Sequence, residues 1–177
     1  MSDGIAIDEL DAAEAEAAVP ELAALLQACV LHGASVGFVL PFPPEDAAAF
    51  WTGLLPAFGS GARRLFVARA DGALVGTVQL LVGMLPNGRY RAEIAKMLVH
   101  PAERRRGIGR ALMGHAEAVA RADGRRLLVL DTVPGQAGEK LYRSLGFAET
   151  GVVPDYALSP AGVPEPSMFM HKLLAAD

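Results

Sequence analysis

The segment Arg91–Leu112, RAEIAKMLVHPAERRRGIGRAL, limits what this chain can fold into more than any other stretch. A strand-like run ends at His100-Pro101, an arginine-rich turn follows, and Gly107-Ile108-Gly109 opens into an apolar helical pattern. Glycines at a helix start let the backbone approach a ligand and turn several free N–H groups towards one point. With the positive end of the helix dipole, those donors make a site for a phosphate or pyrophosphate. Alone, Arg104-Arg105-Arg106 reads as a solvated charge run; between a strand and a helix it reads as part of an anion site. Two other glycine-rich loops are excluded. A dinucleotide fingerprint needs a third glycine where Leu112 stands, and the Gly-Lys-Ser/Thr of a Walker loop occurs nowhere.

The rest of the composition narrows the class. A chain of 177 residues, 52% hydrophobic and 20% charged, can bury one real core and is too apolar for disorder. We expect a single domain over residues 1–177. A net charge of -4 argues against nucleic acid as the main partner, so the arginine run is a local feature. The single cysteine, Cys29, allows no internal disulfide and sits in an apolar helical pattern as a core thiol. His32, His100, His115 and His171 show no metal-ligand spacing, so no metal is expected. The acidic N-terminus lacks a signal-peptide core, and no apolar run approaches the ~20 residues of a membrane span. A cytoplasmic protein, monomer or homodimer, is the expectation.

Periodicity and turn chemistry predict the elements. A short strand at Ile5–Ile7 precedes helices over Asp11–Val19, from Pro20 to about His32, and over Glu45–Leu55. Between the last two, Gly33–Pro44 is a loop too apolar for a solvated linker. Arg63–Ala70 and Ala73–Val82 form a hairpin around Asp71-Gly72, and Pro86-Asn87-Gly88 turns into a strand at Tyr90–Val99. Helices at Gly107–Ala122 and Gly135–Leu145 flank a buried strand at Arg125–Asp131, and strands at Phe147–Val153 and Pro166–Leu174 follow. This is a mixed α/β (α+β) order without the strict alternation of a doubly wound sheet.

Arg104 stands three residues before Gly107, giving R-x-x-G-x-G, and Leu141-Tyr142-Arg143-Ser144-Leu145-Gly146-Phe147 gives L-Y-x-x-x-G-F. Together these resemble the coenzyme A signature and the later conserved segment of the GNAT superfamily of N-acetyltransferases. The resemblance covers nearly the whole chain. It implies a mixed central sheet flanked by helices, in which two neighbouring strands, here Tyr90–Val99 and Arg125–Asp131, splay apart around acetyl-CoA. It further implies that Tyr142 protonates the departing thiolate, a step that gains from a positioned donor. The pyrophosphate would then sit on the backbone of Arg105, Arg106, Gly107, Ile108, Gly109, Arg110 and Ala111, with Arg104 beside it. Met97, Leu98 and Val99 would hold the pantetheine arm and supply an N–H to the oxyanion.

An amine arrives as an ammonium ion and must lose a proton before it attacks a thioester, so a carboxylate is needed nearby. Glu93 and Asp131, on the two strands expected to splay, are the candidates for general base. The motifs His32-Gly33-Ala34-Ser35-Val36-Gly37-Phe38, Pro86-Asn87-Gly88, Arg91-Ala92-Glu93, Leu130-Asp131-Thr132 and Pro154-Asp155-Tyr156 resemble the tabtoxin-resistance branch. That branch detoxifies a β-lactam amino-acid toxin and implies a small amine acceptor, an antibiotic-resistance role, and a pocket roofed by His32, Ser35 and Phe38. The proline-stiffened Val39–Pro44 departs from the branch pattern. Two other classes remain: a non-catalytic acyl-CoA-binding or interaction module on the same fold, and a serine hydrolase. The hydrolase rests on Gly33-Ala34-Ser35-Val36-Gly37 with Asp131 and His171, and its elbow requires a strand before Ser35.

Overall fold

The computed structural model describes residues 4–174. Strand β1 (Ile5–Leu10) leads into helices α1 (Ala12–Ala17), α2 (Val19–Leu31) and α3 (Pro44–Gly59). Strands β2 (Arg63–Ala70), β3 (Ala73–Leu81) and β4 (Arg91–Val99) form the meander, followed by α4 (Ile108–Ala122) and β5 (Leu127–Thr132). Helix α5 (Ala137–Ser144), β6 (Ala148–Leu158) and β7 (Pro164–Leu173) complete the order. The strands make one seven-stranded sheet, β1-β2-β3-β4-β5-β7-β6, in which only β4 and β5 run parallel.

Alternation along the strands divides the apolar residues between two clusters. One packs Phe66, Val78, Leu80 and Ile94 under Leu112 and Met113 of α4. The other packs Leu65, Val67, Leu74 and Leu98 under Leu22 and Leu26 of α2 and Trp51 of α3. Strand β4 contributes Ile94 to the first and Leu98 to the second, although residues four apart on a regular strand share a face. An inserted residue resolves this. Thr77 pairs with Leu98 and Gln79 with Ala95, so β4 carries one more residue than β3 there, and Lys96 takes it up at φ 48°. This β-bulge reverses the facing of every side chain beyond it.

Helix α4 docks on the sheet through Gly76. A Cβ there would come within 3.0 Å of Ile108 Cγ2, Leu112 Cδ1 and the Leu98 carbonyl. The far end of α4 is tied to β7 by Lys172 Nζ, 2.6 Å from Glu117, which also receives Arg121 at 2.9 Å. Burial alone would raise the Glu117 pKa, but the hydrogen bonds from Lys172 and Arg121 outweigh it and hold the carboxyl below its ordinary range.

Several boundaries differ from the sequence expectation. Helix α3 runs through Pro56 to Gly59, because buried Trp51 and Phe58 anchor both sides of the proline. The cost is one lost intrahelical donor, which that packing offsets. Strand β6 extends to Leu158, and β7 begins at Pro164. The Ser159 amide donates to the Val163 carbonyl at 2.8 Å and its hydroxyl accepts from the Val163 amide at 3.1 Å, which closes a hairpin where a break was expected. Pro154 is accommodated because β6 is the sheet edge and pairing is interrupted between Val153 and Ala157. Asp11 caps α1 through a capping box with Glu14 rather than lying inside the helix.

Gly76→Ala should destabilise the fold by about 1–3 kcal/mol, since one of the three atoms it meets is backbone and cannot rotate away. Denaturant unfolding should show a lower midpoint with an unchanged slope.

Candidate active site

Strands β4 and β5 pair only from Arg91/Leu127 to Glu93/Val129. Beyond that point they diverge, and the edge of β4 from Ile94 to Val99 has no strand partner on the β5 side, although its other edge stays on β3. Free N–H and C=O groups along such an edge can bond an extended ligand in β fashion. Along this edge Met97 and Val99 pack towards α4, whereas the Leu98 side chain is buried under α1–α3, so only its backbone is left on the edge. The Val99 carbonyl accepts from Cys29 Sγ and Arg104 Nε, both at 3.5 Å. Cys29 is a buried thiol, and burial raises its pKa despite the pull of Arg104.

The glycine loop is built by backbone conformation. Arg105 has φ 66° and Gly107, the N-cap of α4, has φ 82°. No side chain caps the helix, so the amides of Ile108, Gly109 and Arg110 point out of its N-terminus. Ala111 is not one of these donors, because its N–H closes the first turn on the Gly107 carbonyl at 3.0 Å. The two glycines serve different ends. At Gly107 there is open space and the requirement is the left-handed φ; at Gly109 a Cβ would meet Leu141 Cδ2 at 3.1 Å and Met97 Sδ at 3.6 Å. Gly109 thus lets α5 and β4 close on the loop. The arginines are partly engaged: Arg104 on Val99, Arg106 on Glu103, and Arg110 on Ser144 at 2.8 Å. What the loop offers an anion is mainly its amides.

Tyr142 projects from α5 into the core near the end of β5. It is 7% exposed, its ring lies 5.9 Å from Phe147, and burial, then the negative charge of Asp131, push its pKa well above the ordinary tyrosine range. Gly138 makes this position possible, since a Cβ there would fall 2.9 Å from Thr132 Oγ1 and 3.4 Å from the Tyr142 ring. Asp131 lies on β5 beyond its last pair with β4, still paired with Phe169 of β7, exposed, and accepts from the buried Ser167 hydroxyl at 2.7 Å. Glu93 sits half-buried at the last β4–β5 pair, on the face covered by α1–α3.

The α2–α3 loop covers that face. Phe38 packs tilted on Phe42 at 4.4 Å and edge-to-face on Phe50 at 5.1 Å, and the Leu40 amide donates to the Pro160 carbonyl at 2.8 Å, pinning the loop to the β6–β7 turn. Beneath it lies Lys96, whose Nζ donates to the Val36 carbonyl at 2.7 Å and sits 5.7 and 5.4 Å from the Phe38 and Phe50 rings. Phe38 is therefore in the roof, and Ser35 is half-buried in the same loop. His32 is exposed, and its Nδ1 donates to the Ala28 carbonyl of its own helix end, 3.1 Å away, rather than lining the roof. Sequence reasoning passed over Lys96; its signal was a lone cation inside the apolar run of β4. A groove of about 710 Å³ lined by Glu14, Glu21 and Arg69 lies on β1 and contains none of these residues.

The serine elbow is absent: helix α2, not a strand, precedes Ser35, and His171 Nδ1 lies 2.7 Å from Thr150 Oγ1. Among the described residues no group of three His, Cys, Asp or Glu side chains is placed to hold a metal, and no helix is long and apolar enough to cross a membrane.

Comparison with known proteins agrees with this geometry. The model described as the Acetyltransferase (GNAT) family matches residues 25–147. The protein named IAA acetyltransferase from Azospirillum brasilense is 38% identical over 112 residues, 63% of this chain and 68% of that protein. Among solved structures, yncA of Salmonella typhimurium, with its cofactor acetyl-CoA, has a TM-score of 0.76 at 21% identity over 98% of this chain and 95% of its own. A GCN5-related N-acetyltransferase from Kribbella flavida has a TM-score of 0.77 at 25% identity over 96% of this chain and 98% of its own. The family match takes in β4, the glycine loop, β5 and α5 together, and the chain belongs to the GNAT family of acetyltransferases.

Proposed function

We propose that this acetyl-CoA-dependent acetyltransferase passes its acetyl group directly to a small amine, with Asp131 as general base and Tyr142 as general acid. The observation that carries this reading is a neighbouring pair: an exposed carboxylate on β5 whose charge acts on a buried phenol on α5. The acceptor ammonium gives one proton to Asp131, directly or through water, and the freed amine bonds to the acetyl carbon; its second proton leaves to water as the tetrahedral adduct collapses, which allows Tyr142 to be reprotonated. The C–S bond breaks, and the thiolate takes the Tyr142 proton. Burial keeps that phenol protonated across the working range, as an acid requires. Glu93 is the second carboxylate on the acceptor face and draws the ammonium in.

The amides of Ile108, Gly109 and Arg110 suit the pyrophosphate, and the unpaired edge of β4 suits the pantetheine arm. The loop pinned over Phe38 and Phe50 favours a small acceptor over a protein tail. The β-lactam amino-acid toxin of the branch that the sequence resembles is the first antibiotic to assay.

Gly107→Ala places a side chain at φ 82°, so the loop must strain or turn its amides away. Acetyl-CoA affinity by calorimetry should fall roughly fivefold or more, in line with the ~1–2 kcal/mol cost of that conformation. Tyr142→Phe should lower kcat by about 10²–10⁴ with little change in acceptor KM, measured as thiol release with chemistry rate-limiting. Asp131→Asn should be slower than the parent by a similar ~10²–10⁴ near neutrality. Its deficit should shrink as pH approaches the acceptor's own pKa, because free amine then arrives without the proton Asp131 would remove. A purely structural Asp131 would give a deficit independent of pH.

A further inference from the structure

Lys96 is an oddity on the acceptor face. It is largely withdrawn from water, yet among the described residues no carboxylate comes within ion-pair distance of its ammonium; its contacts are the neutral Val36 carbonyl and two aromatic faces. A cation removed from water without a counter-ion is costly, and burial holds this lysine below its ordinary pKa range. The charged groups that act on it are Arg63, which adds to the cost, and Asp131 and Glu93, which relieve it from a distance.

A second, independent orphan lies alongside. Gln79 is completely buried; its Oε1 accepts from Arg63 Nη1 at 2.8 Å, but its Nε2 has no hydrogen-bond partner. The register puts these groups together: Arg63, Leu81 and Glu93 form one row across the sheet, and Leu65, Gln79 and Ala95 the next, both on the face under α1–α3. Lys96 follows Ala95 at the bulge. Among the described residues, the face thus holds two cations with no carboxylate in ion-pair distance, Lys96 and Arg63, and the unpartnered Gln79 amide, near two carboxylates, Glu93 and Asp131. A simple cationic amine satisfies only the carboxylates and leaves Lys96 without a counter-ion. A molecule bearing an amine and a carboxylate satisfies both halves.

We propose that the acceptor is an α-amino acid or amino-acid-like compound whose free carboxylate is bound by Lys96, with Arg63 and Gln79 behind it. This rests on the reading of a small amine acceptor and narrows it. Lys96 is a specificity residue in this scheme: it takes no part in proton transfer and selects for the anionic group next to the reacting nitrogen.

The test compares kcat/KM, with acetyl-CoA saturating, for each L-amino acid and its primary carboxamide, in the parent enzyme, Lys96→Met and Lys96→Arg. Methionine keeps the stem that packs on Phe38 and Phe50, and arginine keeps the charge. For the amino acids that react, the acid-to-amide ratio should drop roughly ten- to hundredfold from parent to Lys96→Met, the range of a hydrogen bond to a charged group. Lys96→Arg should restore much of the ratio. Comparing ratios between enzymes cancels the differing basicity of acid and amide. If Lys96 only clamps the loop, Lys96→Met slows acid and amide equally, the ratio stays put, and the proposal falls. Should Lys96→Met fail to fold, Gln79→Met, which removes the orphan amide and leaves an apolar core, should lower the same ratio severalfold; an unchanged ratio there overturns the proposal. If acids and amides of the parent react but the ratio is indifferent to these variants, the small-amine reading stands and the carboxylate assignment alone fails. If no amine reacts while calorimetry shows acetyl-CoA bound, both fall.

Discussion

The extra residue in β4 is the constraint on which the rest of this molecule hangs. A regular strand would keep Ile94 and Leu98 on one face and stay flat against β5. With Lys96 taking up the insertion at φ 48°, Ile94 faces α4, Leu98 faces α2, and β4 bends away from β5 after Glu93. One local distortion therefore does three things. It opens the cleft, frees an edge of backbone groups for an extended ligand, and sets a lysine at the point where the strand changes face. The positive φ at a non-glycine residue is a cost, which the two apolar clusters offset by gripping β4 from opposite sides on either flank of the bulge.

Those clusters also divide the chemistry. Helices α4 and α5 share one face, and with it the free amides of the α4 N-terminus and the Tyr142 phenol, the groups proposed for phosphate and leaving thiolate. Helices α1–α3 and their long loop cover the other, where Glu93 and Lys96 lie. The two halves meet only through the gap between β4 and β5. Close helix packing maintains that arrangement. Gly76 lets Ile108 and Leu112 sit directly on the sheet, and Gly109 lets Leu141 approach the loop, so the glycines that look like ligand-binding signals are in part packing devices.

Much of this was legible beforehand. The meander, the loop-to-helix junction at Gly107, the strand ending in Asp131 and the placing of Tyr142 on a helix all follow from local patterns of turn residues and hydrophobic period. The bulge was not legible, because E-I-A-K-M-L-V reads as an unbroken strand and a one-residue insertion leaves no periodic trace over so short a run. Lys96 was missed for the same reason. Pro56 misled in the opposite direction: a proline normally stops a helix, and only the tertiary burial of Trp51 and Phe58 carries α3 past it. The role of Gly109 and the spent amide of Ala111 depend on neighbours distant in sequence, Leu141 for the first and the loop closure for the second.

In the proposed mechanism, the contrast in solvation between Tyr142 and Asp131 would let two neighbouring groups do opposite work. Asp131 is exposed and hydrogen-bonded by Ser167, so its charge is supported and water can carry off the proton it receives. Tyr142 is buried beside that charge, so losing its own proton would create a second anion in a medium that cannot solvate it. Each group raises the selectivity of the other: the carboxylate holds the phenol in its acid form, and the buried phenol brings no competing negative charge to the carboxylate. In the proposed step the balance shifts only when a thiolate is released next to the phenol, in a site where that new charge is as poorly solvated as the phenolate's would be. Tyr142 can then give up its proton in the step where one is needed and recover it afterwards from the water that Asp131 faces.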